Sequence, residues 1–485
     1  MSFSDARPVR WPNLIAYGVG DLYGGGSFVL ISLLFLFFLT DVIGLPAASA
    51  GLVVMIGKAW DAVLDPLMGY LSDRTRTRFG RRRVYFLAGI VPVWITFALL
   101  WIPCSSTRPG LAFLYYALAY VLFSSTFAMV MVPYAALNAE MSRDDSTRTR
   151  LTGARMLFSG AGSLLVGVLP RMFVDAFPDP RQGHLVMGLV FGLIFALPWI
   201  VVFLGTWELS GGDEAPPERS SFADFVRSLK SLFVNRSFRI HMGMYINAYS
   251  ALDILMAVVL YYMTYYFGRK ELFPVCLGAM LITQLVSLVA YVAIANRFGK
   301  GPAYVTGLSI WGAAMSSVVF IPREAPSALV VLVFALGGMG MAAGAFIPWA
   351  ILPSVTDVDE LIFARQRAGL YAGAMTFLRK LVQAVVLFGV GLGLQLIGYV
   401  PNAPQSAETL GRMRFIFSLA PSAFILLGIL FALRFRITPE SHRVLTGELE
   451  RLKSGGEKSA VAPATRAVCE TLTGLPYERL FGSAK

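Results

Sequence analysis

Charged residues are scarce in this chain. Asp, Glu, Lys and Arg make up only 14% of its 485 residues, against roughly 25% in soluble globular domains. Hydrophobic residues make up 56%, and the mean hydropathy is +0.66. This composition excludes an ordinary soluble domain and predicts an integral membrane protein.

Cysteine and histidine are scarce as well, with three residues of each. Cys104, Cys276 and Cys469 show no CxxC spacing, so neither a disulfide framework nor a metal site is indicated. The loops contain no set of nucleophile, base and orienting residue. We therefore expect no metal, no cofactor and no enzymatic activity.

Long polar stretches are missing from most of the chain. Apolar runs of 18 or more residues recur with short polar loops between them, a pattern that predicts spanning helices and not an alternating β-barrel. We predict twelve spans, numbered 1 to 12, near residues 13–40, 46–71, 84–104, 110–137, 152–177, 185–207, 239–267, 272–295, 303–321, 327–353, 369–396 and 412–433.

The basic residues indicate orientation. Six arginines lie between positions 74 and 83, and others cluster at 219–239, in loops of the same predicted side. This bias places both termini in the cytoplasm, and we expect a bacterial inner (plasma) membrane. Because the net charge of +12 is spread over alternate loops, it does not indicate nucleic-acid binding.

The longest internal polar break, 209–238, divides six spans from six and contains apolar residues at helical spacing from Phe222 to Phe233. It predicts an amphipathic helix along the inner leaflet. We therefore divide the chain into an N-terminal six-helix bundle (1–208), a cytoplasmic loop (209–238), a C-terminal six-helix bundle (239–433) and a partly disordered cytoplasmic tail (434–485).

An internal repeat supports this division. Val132-Pro-Tyr-Ala-Ala-Leu137 resembles Ile347-Pro-Trp-Ala-Ile-Leu352, and Arg78-Phe-Gly-Arg81 resembles Arg297-Phe-Gly-Lys300, at nearly equal displacements. Two pseudo-symmetric six-helix bundles are the build of major facilitator transporters, whose solute site lies at the midplane. The predicted fold class is therefore an all-α membrane protein with the major facilitator fold.

Span 2 contains an unusual group of charges. Lys58, Asp61 and Asp65 fall within roughly 60° of one another on a helix. A carboxylate at the bilayer centre costs about 2.5–3.5 kcal/mol, so two of them need a cavity, a partner or a cation. This arrangement suits a site for a coupling ion; the alternative is a buried cluster that only pins helices together.

The motifs of this chain resemble those of the glycoside–pentoside–hexuronide:cation symporters of the major facilitator superfamily. The strongest match is Trp60-Asp-Ala-Val-Leu-Asp-Pro-Leu-Met-Gly69 with the loop from Asp73 to Arg83. Weaker matches are Tyr17-Gly-Val-Gly-Asp21, Thr40-Asp-Val-Ile-Gly44, Asp357-Val-Asp-Glu360, Phe377-Leu-Arg-Lys380 and Ile397-Gly-Tyr-Val-Pro-Asn402.

The resemblance implies that Asp61 and Asp65 bind the coupling cation and that Arg155 and Lys380 border the solute cavity. Three positions depart from the galactoside-binding residues of the family's best-known member, namely Gly25, Met131 and Ala135. Leu64 and Ala128 replace its sodium-binding amide and hydroxyl, so we favour a proton over sodium.

Other acidic residues are candidates for the cavity or the gate. Asp21 either faces the solute cavity or pairs with a cation such as Lys380, and we expect Asp253 with Tyr249 to line the cavity. Gly24-Gly-Gly26 predicts either a bend of span 1 or close helix packing. The predicted cytoplasmic gate consists of Asp73, Arg74, Arg81, Arg82, Glu140, Asp357 and Asp359.

These features predict a monomeric symporter that imports a small polar solute, such as a glycoside or sugar derivative, with a proton or monovalent cation. An alternative cargo is a lysophospholipid or another amphiphile. Animal relatives of the family carry such lipids, and this chain lacks the polar sugar-binding side chains at Gly25, Met131 and Ala135. A non-transporting membrane receptor is a third reading, against which the paired carboxylates argue.

Overall fold

The computed structural model describes residues 8–104, 108–142, 144–208 and 222–482, and these ranges contain helices and loops but no strand. The spans have the following bounds: span 1 Trp11–Phe35, span 2 Ala47–Arg74, span 3 Arg83–Leu99, span 4 Pro109–Met141, span 5 Asp145–Asp175, span 6 Pro180–Gly205, span 7 Arg236–Tyr266, span 8 Lys270–Phe298, span 9 Lys300–Phe320, span 10 Ser327–Phe363, span 11 Ala368–Leu396 and span 12 Ala407–Leu433.

Eleven of the twelve predicted spans are confirmed. Eleven helices in the described ranges are long and apolar enough to cross a membrane. Span 3 is an apolar helix of 17 residues that ends at Leu99, earlier than predicted. The chain is therefore a multi-pass membrane protein.

Local sequence sets where several spans begin. Pro109 and Pro180 stand in the first turn of spans 4 and 6, where a missing N–H costs nothing. Asp144 accepts a hydrogen bond from the Thr147 N–H, and Asp179 accepts one from the Arg181 N–H. These caps satisfy N–H groups that have no partner within the helix.

The chain forms two compact units that do not coincide with the two predicted six-helix bundles. The first comprises the described residues of Met1–Pro216 with Met256–Gly278 and Gln383–Met413. Its core is rich in aromatic rings, with Tyr23 in contact with Phe195 and Trp199. Gln395 accepts a hydrogen bond from the Ala48 N–H, which ties the end of span 11 to the start of span 2. The end of span 7 belongs to the same unit.

The second unit comprises the described residues of Pro217–Leu255 with Ala279–Val382 and Arg414–Lys485. Spans 9 and 10 approach closely where Gly340 faces Gly307, because a Cβ at Gly340 would collide with the Gly307 carbonyl. His241 bonds the Pro348 carbonyl at 2.7 Å and joins span 7 to span 10. The six-plus-six division of the sequence stays a prediction.

The helix predicted in the central loop is present at Phe222–Leu232. Residues 209–221, and the side chains of 222–226, lie outside the described part. Leu229 and Leu232 are buried in the protein, so these two residues pack against the protein itself.

The expectation of a disordered tail is wrong for the residues described up to Gly482. Two helices, Pro439–Lys453 and Pro463–Thr473, follow span 12. Their apolar sides bury Leu449 and Leu472, and the Phe481 N–H donates to the Leu361 carbonyl at 2.6 Å. The tail is therefore a folded element docked on the end of span 10.

Candidate functional site

Two of the three predicted coupling residues line a cavity inside the first unit. Lys58 and Asp61 are buried, with 5% and 4% of their surface exposed. Asp65 is half-buried, one turn further along span 2. The cavity is small, and the rest of its lining is Ser27, Phe28, Ile31, Tyr120, Phe123, Ser124 and Phe127.

Lys58 stands between two spaces. Its Nζ lies 3.7 Å from the centroid of the Phe28 ring, a cation–π contact that contributes about 0.5–2 kcal/mol. It also lines a second small cavity, together with Ser32, Ala257 and Leu387. Any ion or solute that enters either cavity meets this ammonium.

A glycine allows span 4 to approach the coupling residues. A Cβ at Gly57 would lie 2.5 Å from Cγ of Tyr120, far inside van der Waals contact. The Ser124 hydroxyl donates to the Gly57 carbonyl at 3.1 Å. The absence of a side chain here brings Tyr120 and Ser124 against the turn that carries Lys58 and Asp61.

A proline frees a backbone carbonyl oxygen beside Asp61 and Asp65, the two carboxylates of span 2. Pro66 lies inside span 2, directly after Asp65. Because proline has no N–H, the Ala62 carbonyl loses its usual helical donor. Asp61, Asp65 and the Ala62 carbonyl are thus oxygen groups on one turn that suit a small cation.

Asp21 pairs with Arg155 in the first unit. The Arg155 Nε lies 3.3 Å from Asp21 Oδ2, and the guanidinium stands 4.7 Å from the centroid of Tyr134. Tyr17 and Tyr134 each donate to the other's carbonyl. Two predicted cavity residues, Asp21 and Arg155, thus form an ion pair. The cation that pairs with Asp21 is Arg155 and not Lys380.

Asp253 pairs with Arg379 in the second unit. Arg379 Nη2 lies 3.3 Å from Asp253 Oδ1, and its guanidinium is 4.4 Å from the Tyr249 ring centroid. Lys380 is buried next to it in the sequence. Sequence reasoning missed Arg379 because it lies in the Phe377-Leu-Arg-Lys380 motif, where the role was given to the lysine.

The predicted gate residues of the first unit form an ion network. Arg81 donates to Glu140 at 2.8 and 3.2 Å, and Arg82 does so at 3.0 Å. Arg82 also binds Asp73. The hydrogen bond to Glu140 raises the pKa of Arg81 above its ordinary value. Arg74 stands apart, stacked 3.8 Å from the Tyr70 ring centroid.

Glu208 is a missed member of this network. Its carboxylate accepts the backbone N–H groups of Arg81, Arg82 and Arg83 at 2.8–2.9 Å. A carboxylate at a helix start is favoured by the helix dipole. Glu208 therefore joins the end of span 6 to the start of span 3.

The predicted gate residues of the second unit are paired within that unit. Asp359 accepts two hydrogen bonds from Arg367, at 2.5 and 2.8 Å, and one from Tyr371 at 2.7 Å. His442 of the tail lies 2.7 Å from Asp357. The tail thus reaches one of the predicted gate carboxylates, a contact that sequence patterns do not predict.

Asp41 is a third missed residue. It is buried, with 5% of its surface exposed, and accepts hydrogen bonds from the hydroxyls of Thr40, Tyr265 and Tyr399. The Asn402 side chain donates to its carbonyl. Asp41, in the helical turn Phe38–Val42 that follows span 1, thus ties this turn to the end of span 7 and to the loop after span 11, all within the first unit.

The family profile of MFS/sugar transport proteins matches residues 16–439, most of the chain. The chain belongs to this family. The resemblance to the glycoside–pentoside–hexuronide:cation symporters is confirmed. The tail helices begin where the match ends.

Three relatives of this transporter illustrate its similarities. An uncharacterized symporter of Synechocystis sp. is 28% identical over 92% of this chain and 97% of its own length. The glucuronide carrier protein homolog of Escherichia coli is 25% identical over 92% and 97%. The sodium-dependent lysophosphatidylcholine symporter 1 of Gallus gallus is 24% identical over 88% and 87%.

A solved structure supports the fold of this family member. The nucleoside transporter NupG superposes with a TM-score of 0.59 at 14% identity, over 88% of this chain and all of NupG. At that identity the likeness concerns the fold alone, which is the predicted major facilitator fold.

The glycines of span 1 serve packing in this transporter. A Cβ at Gly25 would lie 2.7 Å from the Ser159 backbone oxygen, and a Cβ at Gly26 would lie 2.8 Å from Phe195. Two roles were predicted for Gly24-Gly-Gly26, a bend of span 1 or close helix packing, and these contacts are those of close helix packing. The galactoside-binding position of the family is therefore filled here by a contact between spans 1 and 5.

Proposed function

We propose that this protein is a secondary active symporter that imports a sugar derivative together with a proton or monovalent cation. The observation that carries the proposal is the buried Lys58 and Asp61 at a cavity, with Asp65 one turn away, in a chain of the sugar transport family. Such groups inside a membrane protein mark ion and solute pathways.

Coupling follows from the electrostatics of the carboxylate stripe. Asp61 and Asp65 repel each other as a pair of negative charges, and a bound cation offsets that repulsion. The neutralised pair stabilises the solute-loaded protein more than the empty one, so cation and solute bind with reciprocal affinity gains. The solute is then carried by alternating access of its site to the two sides of the membrane.

The coupling ion is a proton in this proposal. Leu64 and Ala128 offer no side-chain oxygen at the two positions where the family's sodium site has an amide and a hydroxyl. A hard cation such as sodium prefers several oxygen ligands. A proton needs only one carboxylate of suitable pKa.

The remaining assignments belong to the same proposal. The excess of arginine in alternate loops supports a bacterial inner-membrane protein with both termini in the cytoplasm. We propose a monomer that needs no cofactor and has no enzymatic activity, with a small solute and the lipid bilayer as its partners.

Proteoliposomes test the proposal. Purified protein should accumulate a radiolabelled sugar derivative only when an inward gradient of protons or sodium is imposed. The panel should contain glycosides, pentosides, uronides and one lysophospholipid. Accumulation driven by the proton gradient alone is the expected result.

The variant Asp61→Asn with Asp65→Asn should abolish gradient-driven accumulation. The matched control is Asp179→Asn, since Asp179 is an exposed residue at a helix start. Accumulation that persists in the double variant contradicts the coupling role. Uptake of the lysophospholipid alone transfers the proposal to an amphiphile transporter.

A further inference from the structure

Each half of the chain contains the same group of four side chains. Tyr17 and Asp21 of span 1 correspond to Tyr249 and Asp253 of span 7, since each pair is four residues apart and both members are displaced by 232 positions. At helical spacing, residues four apart share one face.

The other two members come from corresponding spans. Arg155 of span 5 and Arg379 of span 11 each place one nitrogen 3.3 Å from the aspartate of their own half. Tyr134 and Trp349 occupy equivalent positions of the repeated sequences at the ends of spans 4 and 10. The repeat therefore assigns Arg379, not Lys380, as the counterpart of Arg155.

The two groups differ in their aromatic member. Tyr134 is fully buried, whereas 40% of the surface of Trp349 is exposed. The Trp349 indole N–H donates to the Tyr249 hydroxyl at 3.2 Å, which in turn donates to the Ala345 carbonyl at 3.1 Å. The indole is thus held in place with part of its ring accessible.

On a helical wheel, the exposed ring lies outside the most exposed apolar side of span 10. That side carries the exposed apolar residues Leu329, Leu332, Leu336 and Met339, which fall within about 80° on a helical wheel. Trp349 lies roughly 120° from their mean direction. An exposed indole away from the lipid stripe is suited to an aqueous pathway.

We propose that Trp349, Arg379 and Asp253 form a sugar-binding subsite of the second unit. This inference rests on the proposed sugar transport. Trp349 provides a flat ring on which a sugar's apolar face stacks. Asp253 accepts hydrogen bonds from sugar hydroxyls, and Arg379 donates to their oxygens.

Binding of nitrophenyl glycosides tests the subsite. The probes are the p-nitrophenyl α- and β-glycosides of glucose, galactose and xylose, added to full-length protein in detergent, and binding is followed by isothermal titration calorimetry. The variants are Trp349→Ala, Trp349→Phe and Arg379→Lys. Arg379→Lys keeps the charge beside Asp253 but removes the planar guanidinium. The matched control is Arg434→Lys, since Arg434 is an exposed arginine of the same unit.

We expect Trp349→Ala and Arg379→Lys to raise the Kd of the tightest glycoside at least tenfold, and Trp349→Phe and Arg434→Lys to change it less than threefold. The melting temperature and the proton dependence of binding should stay as in the wild type. If these residues had only a structural role, their replacement would lower the melting temperature as well. Equal Kd values in all variants overturn the subsite and leave sugar transport standing. If no glycoside binds the wild type, both are overturned.

Discussion

We predict that Asp41→Asn loosens the turn that follows span 1 from the end of span 7 and from the loop after span 11. The Asp41 carboxylate accepts hydrogen bonds from Tyr265 and Tyr399, which lie 224 and 358 residues away in the chain. In the proposed alternating access between the two predicted six-helix halves, opening of this side would break these bonds. Asparagine keeps the size of the side chain and removes the negative charge.

The size of the effect follows from the two tyrosine bonds. A hydrogen bond to a charged group contributes about 1.5–3 kcal/mol, against about 0.5–1.5 kcal/mol between neutral groups. Loss of the charge therefore weakens the closed arrangement by about 2–3 kcal/mol in total. This shifts the closed-to-open equilibrium by roughly 30- to 150-fold. The hydrogen bond from Thr40 is left out of this sum, because Thr40 lies in the same segment as Asp41.

Labelling of a cysteine at position 32 measures this shift. Ser32 lines the second cavity of the first unit. Cys104 is half-buried and is replaced by serine, while Cys276 and Cys469 are buried and can stay. In Ser32→Cys protein, a membrane-impermeant maleimide added outside the cells should react faster when Asp41→Asn is present. The control is Asp179→Asn, which leaves the Asp41 bonds intact.

A labelling rate that Asp41→Asn leaves within twofold of the parent protein refutes this reasoning. A slower rate refutes it too, since it means that the carboxylate holds the cavity open.

Two further predictions concern the tail and the cavity. Burial tends to raise the pKa of Glu448, but hydrogen bonds from Arg451 and Tyr477 outweigh it and hold the pKa below its ordinary value. Its contribution to tail stability is therefore complete above the unfolded pKa of about 4.3 and is lost as the pH falls below it. Pepsin should cleave the tail increasingly below that pH, and Glu448→Gln should remove most of the pH dependence. Gly57→Val should abolish uptake because its side chain collides with Tyr120, and Tyr120→Ala should restore part of it; full uptake by Gly57→Val contradicts the packing described.

The stripe of span 2 was predictable because it depends only on helical periodicity and on the cost of charge in the membrane. Lys58 and Asp61 face one cavity as their spacing predicts. The choice between adjacent cations in span 11 was not predictable in the same way. Arg379 and Lys380 differ by about 100° around the helix, and only the packing of span 7 decides which one meets Asp253.

Polar contacts between residues far apart in the chain could not be predicted from sequence patterns. The partners of Asp41 come from two distant segments, and Asn402 adopts a left-handed backbone, with φ of 54°, as it reaches Asp41. The prediction of a partly disordered tail was wrong because it relied on the polar average composition of the tail. Each of the two tail helices has one apolar side. Leu445 and Cys469 are fully buried there, so local amphipathicity mattered more than composition.

Solute-driven proton movement is the most direct test of the coupling role of Asp61. Proteoliposomes without any imposed gradient receive the tightest-binding glycoside outside, and a pH-sensitive dye follows the external medium. We expect the medium to become alkaline as solute and protons enter together, and we expect no pH change with Asp61→Asn. Solute entry without movement of protons or sodium, or an unchanged flux in Asp61→Asn, would contradict cation coupling at span 2.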